Sequence, residues 1–253
     1  MPRFFIKQEQ IADNNTVTLS GDDAIHISRS LRMRCGDEII LCDYNNFEYV
    51  CEISNITSDT VLLTINQKRT CVSEPDVKVT LYQGVPKGQK FELIIQKCVE
   101  LGIFEIVPVI TSRCVSRPDE GSFDKKTKRW NTISAEASKQ SGRGIVPNVG
   151  SPITFEKAIC DMKKSDIAFM CYEEFETSEK SLDIKSFLQK ELCENKKQIS
   201  FFIGPEGGIS REEADFAIQN GINCVGLGKR ILRTETAPIC VLSCIMYETE
   251  NMK

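Results

Sequence analysis

The sequence of 253 residues has one histidine, His26, and no C-x-x-C pair. Zinc sites and His-dependent catalytic triads therefore lack their usual side chains, and we expect no metal. No run approaches about 18 uncharged apolar residues, so no transmembrane helix or membrane partner is predicted. The opening segment, MPRFFIKQEQ, lacks an apolar core followed by a cleavage site of small residues. We therefore expect no signal peptide and a cytoplasmic location.

Two common nucleotide-binding patterns are missing as well. The sequence contains neither G-x-x-x-x-G-K-[ST] nor G-x-G-x-x-G, which argues against P-loop enzymes, dinucleotide enzymes and the common Rossmann-like methyltransferases. The 12 cysteines have no metal-ligand spacing. In a reducing compartment we expect them to be buried or half-buried thiols that act as small apolar residues, without disulfides.

The composition is that of an ordinary globular protein, with 41% apolar and 27% charged residues. The net charge of -4 does not suggest a nucleic-acid partner, but charge is uneven along the chain. Arg29, Arg32 and Arg34 lie in a segment without acids, and the segment 113–143 is also rich in bases. Each run alone fits a solvated surface, whereas two such runs in an acidic protein favour a polyanion partner.

Two regions differ in pattern. Residues 1 to about 72 contain short apolar runs separated by turn-rich pieces, which predicts a small β-barrel or sandwich interrupted by a helix over Asp22–Leu31. From residue 77 onward, strand and helix patterns alternate, which predicts an α/β domain with a mainly parallel sheet. We expect strands that include Ile167–Cys171 and Gln198–Ile203, and a capping box formed by Ser210 and Glu213 at the start of a helix.

Three segments carry candidate chemistry, and two of them follow strands. The glycine loop, residues 204–208, has three glycines in five residues, so its backbone can approach a ligand closely. The RTETA loop, residues 227–237, carries Arg233 and Glu235, which suit anion stabilisation and proton handling. The alternatives are a tight strand-to-helix turn for the first loop, and a surface ion pair with a threonine cap for the second.

The third segment is EASKQSGRG, residues 136–144. Glu136, Gln140 and Arg143 follow one another at i, i+4 and i+7, so we expect them to share a helical face near its end. The alternative is a helix terminus with a glycine stop and an arginine that compensates the helix dipole.

Five segments spread over nearly the whole chain resemble one known family, and they occur in that family's order. The segments are GPEGGIS, LGKRILRTETA, EASKQSGR, QKCVELGI and HISRSLRMRCGDEI. This family is the RsmE family of 16S rRNA (uracil-N3)-methyltransferases, in the SPOUT superfamily. The resemblance implies a PUA-like RNA-binding β-barrel over residues 1–72 and an α/β methyltransferase domain with a C-terminal trefoil knot over residues 73–253. It also implies a homodimer with the active site near its interface, acting on 16S rRNA in the 30S subunit.

By the same resemblance, S-adenosylmethionine is the cofactor and is held largely by backbone at the strand ends. The residues that the resemblance assigns to cofactor binding are Met170 (or Cys171), Phe202, Ile203, Gly204, Glu206, Gly207, Leu227, Gly228, Leu232, Arg233, Thr234 and Ala237.

Transfer of a methyl group to uracil N3 requires that the N3 proton leave and that negative charge form on the carbonyl oxygens. Arg233 is the first candidate to stabilise that charge and Arg143, from a partner loop, is the second. Glu235 or Glu206 is the candidate to receive the proton or to position a water. Phosphate contacts are expected from five arginines, namely Arg29, Arg32, Arg34, Arg113 and Arg117.

Two other functions stay open. A related SPOUT enzyme that methylates a ribose 2′-hydroxyl on another RNA would share the fold and the cofactor. A non-catalytic RNA-binding factor in ribosome assembly would share the basic segments but show no turnover. The match of the N-terminal region favours uracil N3 over the first, and the intact glycine and RTETA loops count against the second.

Overall fold

The computed structural model describes residues 1–12, 15–114, 120–172, 182–192 and 197–252. Contacts between Cα atoms divide the chain into two units. The first unit combines residues 1–74 with residues 138–146, and the second combines residues 75–137 with residues 147–253.

The first unit is built on a five-stranded sheet in the order β1-β3-β4-β5-β2. Its β1 pairs parallel with β3 and all other pairs are antiparallel. Alternating burial, as at Val17 and Leu19 of β2, places one face of the strands on the core. Among the described residues β1 and β2 do not pair, so hydrogen bonds do not close this sheet into a barrel. The strands are β1 (Arg3–Phe5), β2 (Thr16–Ser20), β3 (Glu38–Cys42), β4 (Phe47–Ile56) and β5 (Thr60–Thr70).

The helix expected over Asp22–Leu31 changes its hydrogen-bonding pattern part-way. An α-helical turn, α1 (Asp22–Ile25), passes directly into a π-helical turn over His26–Ser30. Ala24 and Ile27 are buried against the first unit's core, while Arg29 is exposed. The wider turn therefore still buries one apolar side and presents its basic side to solvent.

The second unit is an α/β structure whose strands all run parallel, as the alternation of patterns predicted. The strand order is β11-β13-β10-β12-β6-β7-β8, with β9 also paired to β7. Its strands are β6 (Lys78–Gly84), β7 (Glu105–Ile110), β8 (Asn148–Val149), β9 (Ile153–Thr154), β10 (Ile167–Cys171), β11 (Leu182–Asp183), β12 (Gln198–Ile203) and β13 (Asn223–Gly226). Its helices are α2 (Lys90–Glu100), α3 (Glu120–Ser141, whose last residues belong to the first unit), α4 (Phe155–Met162), α5 (Ile184–Glu191), α6 (Arg211–Gln219) and α7 (Ala237–Glu248).

Helices cover both faces of this sheet. One apolar cluster joins α2, α5 and α7 to the strands, with Phe91, Phe187 and Val241 as members. A second cluster on the opposite face joins α4 and α6, through residues such as Phe155 and Ala214. Because both faces are buried, the central strands are mostly apolar on both sides, and β10 is apolar at every position.

Several sequence-based boundaries are confirmed to the residue. The strands Ile167–Cys171 and Gln198–Ile203 have the predicted limits. Helix α5 begins at Ile184, because the two residues before it pair as β11 with β13. Helix α4 was missed, because its apolar residues span little more than two turns.

Candidate cofactor-binding pocket

A concave pocket of about 720 Å³ lies beyond the carboxyl ends of β10, β12 and β13. This is where ligands bind in open parallel sheets. The glycine loop and the RTETA loop form most of its wall, and α2 contributes one lysine. The lining residues are Lys90, Cys171, Tyr172, Ile203, Gly204, Pro205, Glu206, Gly208, Ile209, Val225, Leu227, Gly228, Lys229, Arg230, Ile231, Leu232, Arg233, Thr234, Glu235 and Ala237.

Strand alternation decides which predicted residues face this pocket. Met170 and Phe202 are fully buried in the apolar cluster under α4 and α6. Their neighbours Cys171 and Ile203 point to the opposite face of the sheet and line the pocket. Met170 and Phe202 can therefore offer only backbone to a ligand here. The predicted cofactor residues that line the pocket are Ile203, Gly204, Glu206, Leu227, Gly228, Leu232, Arg233, Thr234 and Ala237.

The glycine loop is held by short-range contacts on both sides. Gly208 N donates to Pro205 O over 2.9 Å, which closes a tight turn. A Cβ on Gly204 would lie 2.9 Å from Ile209 Cγ1, so a side chain at this position has no room. Arg113 donates from Nη1 to Gly207 O over 3.1 Å, so this predicted phosphate-binding residue also fixes the loop, whereas Gly207 itself lies outside the pocket wall.

The predicted capping box that follows the loop is confirmed. Ser210 Oγ accepts from Glu213 N over 3.2 Å, and Glu213 Oε2 accepts from Ser210 N over 3.0 Å. The other oxygen of Glu213 accepts from Ser112 N over 2.7 Å. One carboxylate therefore starts α6 and also fixes the end of β7 beside the glycine loop.

A buried glutamine connects the two loops. Gln83, at the end of β6, is fully buried and donates from Nε2 to Thr234 Oγ1 and to Gly84 O, both over 3.1 Å. Thr234 Oγ1 in turn donates to Gly204 O over 2.8 Å. The chain from Gln83 through Thr234 to Gly204 therefore holds the RTETA loop against the glycine loop. Gln83 Oε1 is buried without a hydrogen-bond partner among the described residues.

Two carboxylates in the pocket wall share one lysine. Lys90 Nζ lies 2.9 Å from Glu206 Oε1 and 3.6 Å from Glu235 Oε2. Burial acts to raise the pKa of Glu206, but hydrogen bonds from Lys90 and from Lys87 N lower it below its ordinary value. The hydrogen bond to Glu206 raises the pKa of Lys90. Glu235 Oε2 is buried and accepts no hydrogen bond from any described residue.

Arg233 is the most accessible cation next to those carboxylates. Its side chain is 83% exposed, and its Nη1 lies 4.0 Å from Glu235 Oε1, which is a long ion pair. Thr236 is the N-cap residue of α7, but its side chain makes no capping hydrogen bond. The surface ion pair of the alternative interpretation is therefore present, although it is long, whereas Thr236 provides no cap.

Arg143 has a different environment, in the first unit. Helix α3 ends at Ser141, so Arg143 lies beyond the helix and does not continue the face expected from its spacing. Its side chain is 3% exposed, and its Nη2 lies 2.6 Å from Glu74 Oε2. Glu74 Oε1 also accepts from Gly144 N over 2.8 Å. The arginine is thus committed to a buried ion pair that fixes residues 138–146 to the N-terminal segment of the first unit.

A second buried carboxylate in the first unit is Glu48. It lies 2.8 Å from Arg3 Nη1 and 2.6 Å from Arg69 Nε. Burial acts to raise the pKa of Glu48, but the hydrogen bonds and charges of Arg69 and Arg3 lower it below its ordinary value. This group therefore stabilises the unit in its charged form.

The predicted phosphate-binding arginines of the first unit are exposed. Arg29, Arg32 and Arg34 all lie on the surface, and none is within ion-pair distance of a carboxylate in the described part of the chain. Arg32 has a positive φ of 53°, at the turn that follows the π-helical segment. Arg117 lies outside the described residues.

Sequence reasoning missed two residues of this site, Lys90 and Gln83. Lys90 is the first residue of α2, and no local signal in the sequence indicates that its Nζ reaches residues 206 and 235. A glutamine at the end of an apolar strand was the available signal for Gln83, because a buried amide needs partners.

No helix in the described ranges is long and apolar enough to cross a membrane. No group of three or more His, Cys, Asp or Glu side chains among those residues is arranged to hold a metal ion.

The second unit is an α/β domain with a pocket between two loops, beyond the carboxyl ends of parallel strands. A family model described as an RNA methyltransferase domain matches residues 73–246, and a model of the RNA methyltransferase PUA domain matches residues 19–66. The chain belongs to this RNA methyltransferase family.

Relatives within the family carry a more specific name. The chain is 37% identical over 258 residues to Ribosomal RNA small subunit methyltransferase E of Bacillus subtilis, covering 100% of this chain and 99% of that protein. It is 32% identical to the protein of the same name from Synechocystis, covering 95% of this chain and 76% of that protein. A crystal structure of the Neisseria gonorrhoeae enzyme of that name, bound to S-adenosylmethionine, aligns with a TM-score of 0.84 at 29% identity, covering 98% of this chain and 97% of that one.

Proposed function

We propose that this chain transfers a methyl group from S-adenosylmethionine to N3 of one uridine in the 16S rRNA of the small ribosomal subunit. The observation that carries the proposal is the pocket beyond β10, β12 and β13, built by two of the segments that carry the resemblance to the family. The relatives named for small-subunit rRNA, and the structure of one of them with S-adenosylmethionine, support the choice of substrate and cofactor.

The pocket suits S-adenosylmethionine on three counts. Its volume lies in the usual range for small-molecule sites, and Ile203, Leu227 and Leu232 give it an apolar wall for a flat heterocycle. Its two carboxylates, Glu206 and Glu235, suit a ligand with a sulfonium and an ammonium group. The buried Glu235 Oε2 lies 3.6 Å from Lys90 Nζ but accepts no hydrogen bond from a described residue, and an ammonium or hydroxyl group of the ligand would supply one.

When bound, S-adenosylmethionine supplies an electrophilic methyl group. The chain's own residues must bind the uracil, accept its N3 proton and stabilise the charge that develops on the carbonyl oxygens. Arg233 is the first candidate for stabilising that charge, because it is exposed in the pocket wall and only loosely paired. Glu235 is the candidate for proton handling, since it lies beside Arg233 with an unsatisfied oxygen. Arg143 ranks second, because a catalytic role requires its pair with Glu74 to open.

The remaining parts of the proposal concern architecture. We place an RNA-binding domain at residues 1–72, with Arg29, Arg32 and Arg34 on phosphates, and the methyltransferase domain at residues 73–253. Arg113 and Arg117 extend the phosphate contacts. The C-terminal segment forms a trefoil knot, and two copies form a homodimer with the active sites near the interface. All of these features rest on the family resemblance.

The deciding experiment incubates the protein with S-adenosylmethionine carrying a labelled methyl group and 30S subunits from a strain that lacks this modification. The expected result is label in 3-methyluridine at one position of 16S rRNA. Label in a ribose methyl group would replace the proposal with the 2′-hydroxyl reaction. Cofactor binding without transfer to 30S subunits, 16S rRNA or total RNA would reject catalysis and favour a binding factor.

A further inference from the structure

A large aliphatic side chain stands in solvent at the mouth of the pocket. Ile231 is 82% exposed, and it lines the same pocket as the two carboxylates of the glycine and RTETA loops. An isoleucine exposed to this degree does not contribute the free energy of burial that such side chains normally provide. A single exposed apolar residue needs no explanation by itself. The surroundings of Ile231 are what distinguish it.

The segment around Ile231 is strongly basic. Residues 228–233, which we call the rim segment, contain Lys229, Arg230 and Arg233 and no acid. All three cations are exposed and line the pocket. Within the described part of the chain, neither Lys229 nor Arg230 lies within ion-pair distance of a carboxylate. The rim segment therefore offers a polyanion two unpaired cations and the loosely paired Arg233, all close in sequence to one exposed apolar side chain.

The pocket also sets a geometric requirement on an RNA substrate. N3 lies on the Watson–Crick edge of uracil, and the pocket is recessed beyond the strand ends. A base must therefore leave its stack and turn inward before N3 reaches the pocket. The unstacking leaves a gap between the neighbouring bases, and proteins that distort nucleic acids fill such gaps with apolar side chains, including isoleucine.

We propose that Ile231 is a wedge that enters the RNA base stack when the target uridine turns into the pocket, while Lys229 and Arg230 hold the flanking phosphates. This inference rests on the proposed function and deepens it. The occupant of this surface is RNA rather than a second copy of the chain. Two copies meeting symmetrically at the rim segment would bring like charges together, whereas phosphates complement them.

The test compares wild type with I231S, I231L and a matched control, I218S. Ile218 is also an exposed isoleucine, at 43%, but it lies on α6 and outside the pocket wall. For each protein, kcat and KM are measured with unmodified 30S subunits, Kd is measured for S-adenosylmethionine alone, and mass is measured by light scattering. We expect I231S to lose about 10-fold in kcat/KM for 30S subunits, because serine leaves the gap between the neighbouring bases unfilled. Its Kd for the cofactor and its mass stay unchanged, I231L restores most of the activity, and I218S behaves as wild type.

A modified substrate tests the wedge directly. Once the methylated uridine is mapped, 30S particles are reconstituted with an abasic nucleotide beside it, so that the gap exists in advance. The defect of I231S should shrink on this substrate, because the side chain no longer has a stacking partner to separate. A defect of unchanged size would overturn the wedge.

The other outcomes are equally decisive. Equal kcat/KM for I231S and wild type refutes the inference while leaving the proposed function intact. Weaker cofactor binding by I231S assigns Ile231 to the cofactor, and a changed mass assigns it to contact between copies, and either result refutes the wedge. Wild-type protein that transfers no methyl group overturns both proposals.

Discussion

Replacing Gln83 with leucine should weaken cofactor binding without unfolding the protein. Gln83 Nε2 makes two hydrogen bonds of 3.1 Å, to Thr234 Oγ1 and Gly84 O. Their loss costs about 1–3 kcal/mol at about 0.5–1.5 kcal/mol each. The substitution also removes the buried Oε1, which has no partner, and so relieves a penalty of about 1–3 kcal/mol. The two effects nearly cancel, and we expect the free energy of unfolding to change by about 1 kcal/mol or less.

The affinity for the cofactor should change more than the free energy of unfolding does. Without Gln83, the two loops keep the bond from Thr234 to Gly204 and the bridge of Lys90 between Glu206 and Glu235, but they lose their buried anchor on β6. Part of the free energy of binding S-adenosylmethionine must then be used to order the loops. We expect its Kd to rise about 10-fold, which corresponds to about 1.4 kcal/mol. Isothermal titration calorimetry measures this value, and chemical denaturation measures stability on the same samples.

Two further variants make the result interpretable. S134A removes a fully buried hydroxyl that donates to Pro147 O over 2.6 Å, far along the chain from the loops, and should lower stability without changing the Kd. The double variant Q83L/T234V should cost less in binding than the two single variants added together, because the residues act through one chain of hydrogen bonds. Unchanged cofactor affinity in Q83L, or strict additivity with T234V, would refute the reasoning.

Three other predictions follow from the charged groups. R233A should lower kcat by about 100-fold on 30S subunits, and a normal rate would remove Arg233 from catalysis. R143A should cost about 3–5 kcal/mol in denaturant unfolding because it leaves Glu74 buried and charged, whereas R129A, which breaks an exposed pair, should cost about 1 kcal/mol or less. Equal costs would contradict the buried pair. The lowered pKa of Glu48 means that its stabilisation is complete above the unfolded value of about 4.3 and is lost as pH falls through the folded value. Acid unfolding of E48Q should therefore depend less on pH below about 4 than that of wild type, and parallel curves would refute this.

The features of the fold that were predicted from sequence are those that depend on residues close together in the chain. The capping box at Ser210 depends on residues only three apart, so sequence could identify it. The two loops of the pocket were identifiable because each follows an apolar strand with glycine or dense polar residues. The π-helical turn after Ile25 left no such signal, since its apolar residues fit an ordinary helix equally well.

The parts that sequence could not predict depend on strand order. Lys90 meets Glu206 only because β6 lies beside β12, and nothing in either segment specifies that neighbour. The same applies to Gln83 and Thr234. For Arg143, the glycine stop of α3 was visible, but the partner Glu74 lies in a distant segment. An arginine that sequence alone assigns to catalysis is therefore buried in an ion pair.

The position of β12 has a consequence for synthesis of the chain. β12 lies between β6 and β10, yet it is translated long after β6, and the RTETA loop follows later still. Until the ribosome has released β12, the β6 strand has an open edge, which is a site for mispairing with other chains. Because pairing over such a long loop is slow, we expect the pocket to be the last part of the molecule to mature. A nascent chain stalled before residue 198 should therefore be protease-sensitive at β6 and unable to bind the cofactor.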